Sequence, residues 1–156
     1  MRLKLQVALV GILGIFVYNN ALSQSKTKQK PLSIVVFDEN VNEPLTAKEL
    51  AQIEEVYGAE TQASVLDRSQ RIKDIKNILR NRVEIINAGE KDLSSFPKLS
   101  QVELFNDFMP NLTRDFSFNP ENFNPLKYKF NFYSRNASIY WVDNTTYYIA
   151  IKSQHQ

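Results

Sequence analysis

The chain has 156 residues, a formal net charge of +2, one histidine and no cysteine. Without cysteine it contains no disulfide, no lipid-modified cysteine and no thiolate metal ligand, and one histidine cannot build a multi-histidine zinc site. That histidine, His155, is next to the last residue, so a Ser-His-Asp site is not expected, and the four glycines form no phosphate-binding loop. We therefore predict neither catalytic residues of these classes nor a cofactor.

The N-terminus has the pattern of a secretory signal peptide. Arg2 and Lys4 precede an apolar run, Leu5–Tyr18, and Ala21–Ser23 supplies small residues before a cleavage point at Gln24. The apolar run is shorter than the roughly 20 residues that span a bilayer, which makes an uncleaved anchor the less favoured alternative. Residues 1–23 are predicted to be removed on export.

Export changes the charge of the chain that remains. Cleavage removes two basic residues, Arg2 and Lys4, and leaves equal numbers of basic and acidic side chains. Nucleic-acid binding needs a retained positive surplus, so no nucleic-acid partner is expected. The sequence predicts a secreted or periplasmic protein with no membrane span after cleavage. Three segments are predicted in the mature chain: a flexible polar leader over 24–31, a single domain over 32–152 and a frayed tail over 153–156.

A strand and a helix are the first predicted elements of the domain. Ser33–Phe37 is a β-branched run suited to a buried strand. Thr46 and Glu49 have the spacing of a capping box, which predicts a helix over 47–57 that ends at Gly58. One face of this helix is apolar: Leu50, Ile53 and Val56 or Tyr57.

A second, longer helix is predicted over 62–81. Its apolar stripe recurs at helical spacing: Val65, Ile72, Ile75 and Leu79. Its other faces are basic and carry Arg68, Arg71, Lys73, Lys76, Arg80 and Arg82. These cations either lie against the acidic first helix in an αα-hairpin or form a patch for a polyanion or a membrane surface, and the neutral total favours the hairpin.

The chain after the helices shows strand and loop patterns. Val83–Asn87 is rich in β-branched residues and precedes an Ala-Gly turn, and Leu99–Phe105 alternates as a strand does. From 106 to 125, asparagine and proline predict a long ordered loop. Three phenylalanines are expected to hold this loop against the sheet: Phe116, Phe118 and Phe123.

The C-terminal region predicts a three-stranded antiparallel meander. Its strands are Tyr128–Phe132, Ile139–Val142 and Tyr147–Ile151, separated by polar turns. One face would form the core: Tyr128, Phe130, Phe132, Tyr140 or Trp141, Tyr147, Ile149 and Ile151. The predicted fold class is α+β, with an N-terminal strand, an αα-hairpin and a mainly antiparallel C-terminal sheet.

Aromatic side chains that this core does not need are the candidate binding residues: Tyr133, Tyr140, Trp141 and Tyr148. Core packing explains most aromatic residues of the region. The remainder would stack on a glycan or anchor an envelope protein, and a last strand at the sheet edge would accept a partner strand. We predict an exported non-enzymatic binding or interaction module, and keep a structural component of a cell-envelope assembly and a carboxylate-based hydrolase as alternatives.

One stretch has part of a calcium-loop pattern. Asp38, Asn40, Asn42 and Glu49 occupy positions 1, 3, 5 and 12 of such a loop. However, Glu43 stands where the loop needs glycine, and Glu49 is already explained by the capping box. An ordinary Asp/Asn turn is the favoured interpretation.

A hydrolase of the glycosidase type would need two converging carboxylates. The sequence offers candidates without indicating a pair: Glu49, Glu54, Glu55, Asp107 and Asp115.

Two segments, FNPLKYKFNFYSRNASIYWVDNTTYYIAIK and ILRNRVEIIN, resemble small uncharacterised secreted proteins of flavobacteria and related Bacteroidetes. The resemblance implies export by a bacterium. It implies no activity and no catalytic residue, and its motifs are of a structural kind.

Overall fold

Two α-helices and a three-stranded antiparallel sheet are the regular elements of the computed structural model, which describes Val35 and residues 37–154. The α+β class is confirmed. The predicted signal peptide, the leader, most of the strand predicted at Ser33–Phe37 and His155 lie outside the described residues. Within the described ranges, neither helix is long and apolar enough to cross a bilayer.

Helix α1 (Ala47–Tyr57) has the predicted bounds and the predicted cap. The Glu49 amide donates to the Thr46 hydroxyl at 3.2 Å, and the Thr46 amide donates to the Glu49 carboxylate at 2.8 Å. These two bonds satisfy amides that the first turn of a helix leaves without partners. The helix ends at Gly58, where φ is 51°.

Gly58 is a site where a side chain would be costly. Its φ of +51° is one that L-residues rarely adopt, and a Cβ would lie 2.3 Å from the Met109 sulfur. We expect Gly58→Ala to lower the free energy of unfolding by about 1–3 kcal/mol, because an L-residue is strained at this φ and the Met109 side chain must move to admit the methyl group. Urea unfolding measures this.

Gly89→Ala is the matched control for that substitution. Gly89 also has a positive φ, 63°, but no atom lies within 4 Å of the position of its added Cβ. It should cost about 1 kcal/mol, from the backbone alone. Equal costs at the two glycines would show that the Met109 contact contributes nothing at Gly58.

The second predicted helix is not continuous. It consists of a π-helical turn (Gln62–Leu66), helix α2 (Ser69–Asn77) and a second π-helical turn (Ile78–Arg82). The break lies at Arg68, which is extended with φ −115° and ψ 94°. The Gln62 side chain donates to the Asp67 carboxylate at 2.6 Å, and the Asp67 amide donates to the Gln62 carbonyl. Local bonding by Asp67 therefore competes with helix propagation at this point.

One strong ion pair joins the basic segment to α1. The Arg80 Nε lies 2.5 Å from Glu49 Oε1, and Arg80 Nη2 lies 2.7 Å from Glu49 Oε2. Both side chains are nearly buried, at 12% and 9% exposure. Arg80 also donates to the carbonyls of Asn40 and Pro44, so it fastens the loop before α1 to the second helical segment.

The sheet contains β1 (Val83–Asn87), β2 (Ser138–Trp141) and β3 (Tyr147–Ile151) in the order β1-β3-β2. The predicted strand at Val83–Asn87 is confirmed. The predicted meander is wrong, because β1 replaces Tyr128–Phe132 as the third strand. The last strand is central, so it presents no free edge to a partner strand.

Residues 128–132 keep the predicted burial pattern without forming a strand. Tyr128, Phe130 and Phe132 are buried, while Lys129 and Asn131 are exposed. The Phe130 amide donates to the Tyr128 carbonyl and the Phe132 amide to the Phe130 carbonyl, each at 2.8 Å. These bonds between residues two apart close successive γ-type turns. They use the amides that a sheet ladder would need, and they leave alternate side chains on opposite sides.

The segment predicted as a strand at Leu99–Phe105 is mostly irregular. It begins with a 3₁₀ turn (Leu99–Gln101), and its only described pairing is one antiparallel bridge between Leu104 and Tyr128. The Phe105 amide donates to the Lys127 carbonyl at 2.7 Å beside that bridge. This pairing holds the start of the aromatic segment next to residues 103–105.

Aromatic rings form a chain through the core. Successive centroids lie 5.5 Å apart for Phe118 and Phe123, 5.3 Å for Phe123 and Tyr128, 5.4 Å for Tyr128 and Phe130, and 5.7 Å for Phe130 and Phe132. Phe118 and Phe123 therefore hold the long loop to the core as predicted. Phe116 does not, because it is fully exposed.

Candidate functional site

The four predicted binding residues are not brought together. Tyr133 is 54% exposed and follows the aromatic segment. Tyr140 lies on the core side of β2, where its ring centroid is 4.9 Å from that of Phe130. Trp141 and Tyr148 are direct partners across β2 and β3, on the opposite face of the sheet.

That opposite face carries a row of half-buried apolar side chains. Ile86, Tyr148 and Trp141 are register partners across the three strands, and Ile139 pairs with Ala150 beside them. The Trp141 indole donates to the Thr145 carbonyl at 2.9 Å, and the Lys98 ammonium lies 5.5 Å from the indole ring centre. Trp141 is therefore held by the turn after β2 and by Lys98, and it is not part of the core cluster.

A pocket of about 330 Å³ lies between the helical segments and the aromatic segment. Its walls come from the end of α1, from α2 and the turn after it, and from residues 126–133. Most lining side chains are apolar or aromatic: Tyr57, Ile75, Ile78, Phe105, Leu126, Tyr128, Phe130, Phe132 and Tyr133. The γ-type turns contribute to this wall, because they present Tyr128, Phe130 and Phe132 on one side of the backbone.

Arg71 is held at this pocket by two phenol groups. Its Nη2 donates to the Tyr57 hydroxyl at 2.6 Å and its Nη1 donates to the Tyr133 hydroxyl at 3.1 Å. The guanidinium carbon lies 5.9 Å from the Tyr57 ring centre. Burial would lower the pKa of Arg71, but the neighbouring Tyr57 and Tyr133 raise it, so the group stays charged.

The other charged side chains of the lining neutralise each other. Lys129 Nζ lies 3.3 Å from Asp107 Oδ1. Arg71 has no ion pair with any carboxylate in the part of the chain that the structure describes. The lining thus carries one uncompensated positive charge, located between Tyr57 and Tyr133.

Sequence reasoning missed Tyr57 and Arg71 as site residues. Tyr57 is on the predicted apolar face of the first helix, and Arg71 is one of six basic residues in the second helical segment. The excess of basic residues in that segment could have indicated Arg71 as a site residue. However, this excess does not distinguish Arg71 from Arg80, which pairs with Glu49.

Two residues of the possible calcium loop, Asn40 and Glu49, make other contacts. Asn40 exchanges hydrogen bonds with the Asn81 side chain at 2.7 and 3.0 Å, and Glu49 binds Arg80 and the Thr46 amide. Glu39–Asn42 forms a 3₁₀ turn. Among residues 37–154 and Val35, no group of three or more acidic, histidine or cysteine side chains is placed to hold a metal ion. Calcium would have to displace Arg80 from Glu49 to bind there.

Two candidate carboxylates of the hydrolase hypothesis converge on a lysine. Lys127, which is 3% exposed, lies 2.9 Å from Glu55 Oε1 and 2.6 Å from Asp115 Oδ1. Burial lowers the pKa of Lys127, but the two carboxylates outweigh burial and raise it. Glu49 binds Arg80 and Asp107 binds Lys129. This arrangement favours a structural role for these carboxylates, because each is engaged by a cation.

No known family model, no curated protein and no solved structure matches this chain.

Proposed function

We propose that this chain is an exported, non-enzymatic binding module whose pocket between α2 and residues 126–133 takes a small apolar ligand. The observation that carries the proposal is the lining itself, in which aromatic and aliphatic walls surround a few convergent polar groups. Small-molecule sites have this composition. The N-terminal signal pattern and the resemblance to secreted flavobacterial proteins support export.

The size of the pocket indicates the size of the ligand. Its volume of about 330 Å³ is at the lower end of ligand sites. It is about twice the roughly 150 Å³ of an apolar cavity that holds one benzene ring, which corresponds to about 12 non-hydrogen atoms. Compounds such as 4-phenylbutyrate and 4-phenylbutanamide have this size.

The lining favours binding over catalysis. Its single carboxylate, Asp107, is paired with Lys129, and the lining residues include no serine, threonine, cysteine or histidine. Among the alternatives, an envelope assembly would use the apolar row of Ile86, Tyr148 and Trp141, and a hydrolase would need carboxylates that are free of Lys127. The pocket brings together more apolar walls and polar groups than the outer sheet face or the carboxylates at Lys127 do.

Methyl NMR of the purified protein tests the proposal. Addition of 4-phenylbutyrate or 4-phenylbutanamide should shift the methyl signals of Ile75 and Ile78, which line the pocket. The methyl signals of Ile151 should not move, since this residue is buried in the core and is not part of the lining. If neither compound shifts the pocket methyls at millimolar concentration, the proposal is wrong.

Tyr133→Ala is expected to weaken ligand binding about threefold to tenfold, because it removes one aromatic wall of the pocket. Tyr148→Ala makes the same chemical change on the opposite face of the sheet and should leave the affinity unchanged. A loss at Tyr148 instead would move the binding site to the outer face of the sheet, where Trp141 also lies.

A further inference from the structure

We propose that Arg71 recognises a carboxylate, so that the ligand of this pocket is a small apolar monocarboxylate with its acid group between Tyr57 and Tyr133. This inference rests on the proposed binding function and names the ligand class for the same site.

The charge of the lining points to a single negative charge on the ligand. Asp107 and Lys129 compensate each other at 3.3 Å, which leaves only the charge of Arg71. In the described residues, Arg80 and Lys127 are balanced by carboxylates, whereas the buried Lys76 and Arg82 donate to backbone carbonyls. Neither Lys76 nor Arg82 lines this pocket. Arg71 has only neutral phenol partners. A charge held in this way is balanced best by an anion supplied from outside the chain.

The donors at this position converge. A guanidinium has five N–H groups, and the two bonds to Tyr57 and Tyr133 use two of them. Each tyrosine hydroxyl accepts from Arg71 and keeps its own proton to donate. Arg71 and the two hydroxyls therefore offer both N–H and O–H donors to one acceptor group, and the planar guanidinium matches the two oxygens of a carboxylate.

The apolar walls determine the remainder of the ligand. Ile75, Phe130 and Phe132 line the pocket together with Arg71. A hydrated inorganic anion would leave these walls in contact with water, whereas a molecule with an apolar body covers them while its acid group reaches Arg71. Together the walls and the charge specify an amphipathic acid.

Isothermal titration with 4-phenylbutyrate and with its near-isosteric amide, 4-phenylbutanamide, tests the inference. The acid should bind about tenfold to hundredfold more tightly than the amide, the usual advantage of a charge-assisted hydrogen bond. Arg71→Gln should abolish the difference between the two compounds, and Arg71→Lys should retain part of it. As pH falls through about 4.5, where a carboxylic acid becomes neutral, the affinity of the acid should approach that of the amide.

Lys73→Gln is the matched control. It removes one positive charge from the exposed face of the same helix and does not touch the pocket lining. The preference for the acid should survive in this variant, and the methyl spectrum of each variant verifies that the fold is retained.

The outcomes separate the two proposals. If the acid and the amide bind the unmodified protein equally, the inference is overturned and the binding function stands. If neither compound binds, both proposals fail. If 4-phenylbutyl phosphate binds more tightly than 4-phenylbutyrate, the head group is a phosphate and the carboxylate assignment is overturned.

Discussion

Arg80→Met should lower the free energy of unfolding by about 3–5 kcal/mol, as expected when one member of a buried ion pair is removed. The substitution leaves the Glu49 carboxylate, 9% exposed, without its cation. It also removes the donor to the carbonyls of Asn40 and Pro44, which precede α1. Urea unfolding at neutral pH measures the loss. A cost below 1 kcal/mol would mean that water screens the pair.

A second substitution isolates the uncompensated charge. Glu49→Gln should destabilise the unmodified protein, because it weakens the pair with Arg80. In the Arg80→Met background it should restore part of the stability, because a glutamine carbonyl still accepts from the Thr46 amide and carries no buried charge. If Glu49→Gln destabilises both backgrounds equally, the effect comes from packing.

The pH dependence of stability has a defined direction. The hydrogen bond from Arg80 lowers the pKa of Glu49 below its ordinary 4.5, against the opposing effect of burial. A carboxylate whose pKa is lower in the folded state contributes stability above the unfolded value, and this contribution is lost as pH falls through the folded value. The cost of Arg80→Met should therefore be full at neutral pH and shrink as pH falls below about 4.5 toward the lower pKa of folded Glu49.

Phe130→Ala should lower the free energy of unfolding by about 3–5 kcal/mol, the usual range for removing a core phenylalanine. Phe130 is 6% exposed and its ring lies within 6 Å of three others, with centroid distances of 5.4 Å to Tyr128, 5.7 Å to Phe132 and 4.9 Å to Tyr140. The cavity would open in the centre of the aromatic segment. Chemical denaturation followed by circular dichroism gives the change.

Phe116→Ala is the matched control for the aromatic core. Phe116 is fully exposed in the same aromatic-rich half of the chain. The same deletion of a ring should change stability by about 0.5 kcal/mol or less. Similar losses of stability at Phe116 and Phe130 would contradict the exposure of Phe116 and the burial of Phe130.

Local sequence patterns predicted the elements whose hydrogen bonds are local. The bounds of α1 follow from Thr46 and Glu49, three residues apart, and from Gly58 at its end. The alternation from Tyr128 to Phe132 predicted which side chains are buried. Both predictions depend on neighbours in the chain, so the sequence contained what was needed.

Strand pairing was predicted incorrectly because it depends on which distant backbone groups are free. Val83–Asn87 and Tyr128–Phe132 have comparable strand patterns. The amides of Phe130 and Phe132 bond to carbonyls two residues away, which leaves Val83–Asn87 to pair with Tyr147–Ile151. The periodicity of the sequence is comparable in the two segments, so it does not predict which of them pairs with Tyr147–Ile151.

The sequence by itself determined the absence of disulfides, the cap of α1 and the buried side of the aromatic segment, because composition and contacts between near neighbours decide these features. Only the tertiary structure decided which rings and which cation line the pocket. Arg71 meets a tyrosine 14 residues before it and another 62 residues after it. An arginine's charge partner is set by whichever side chains the packing brings to it, and in the described residues the packing brings Arg71 two phenols and no carboxylate.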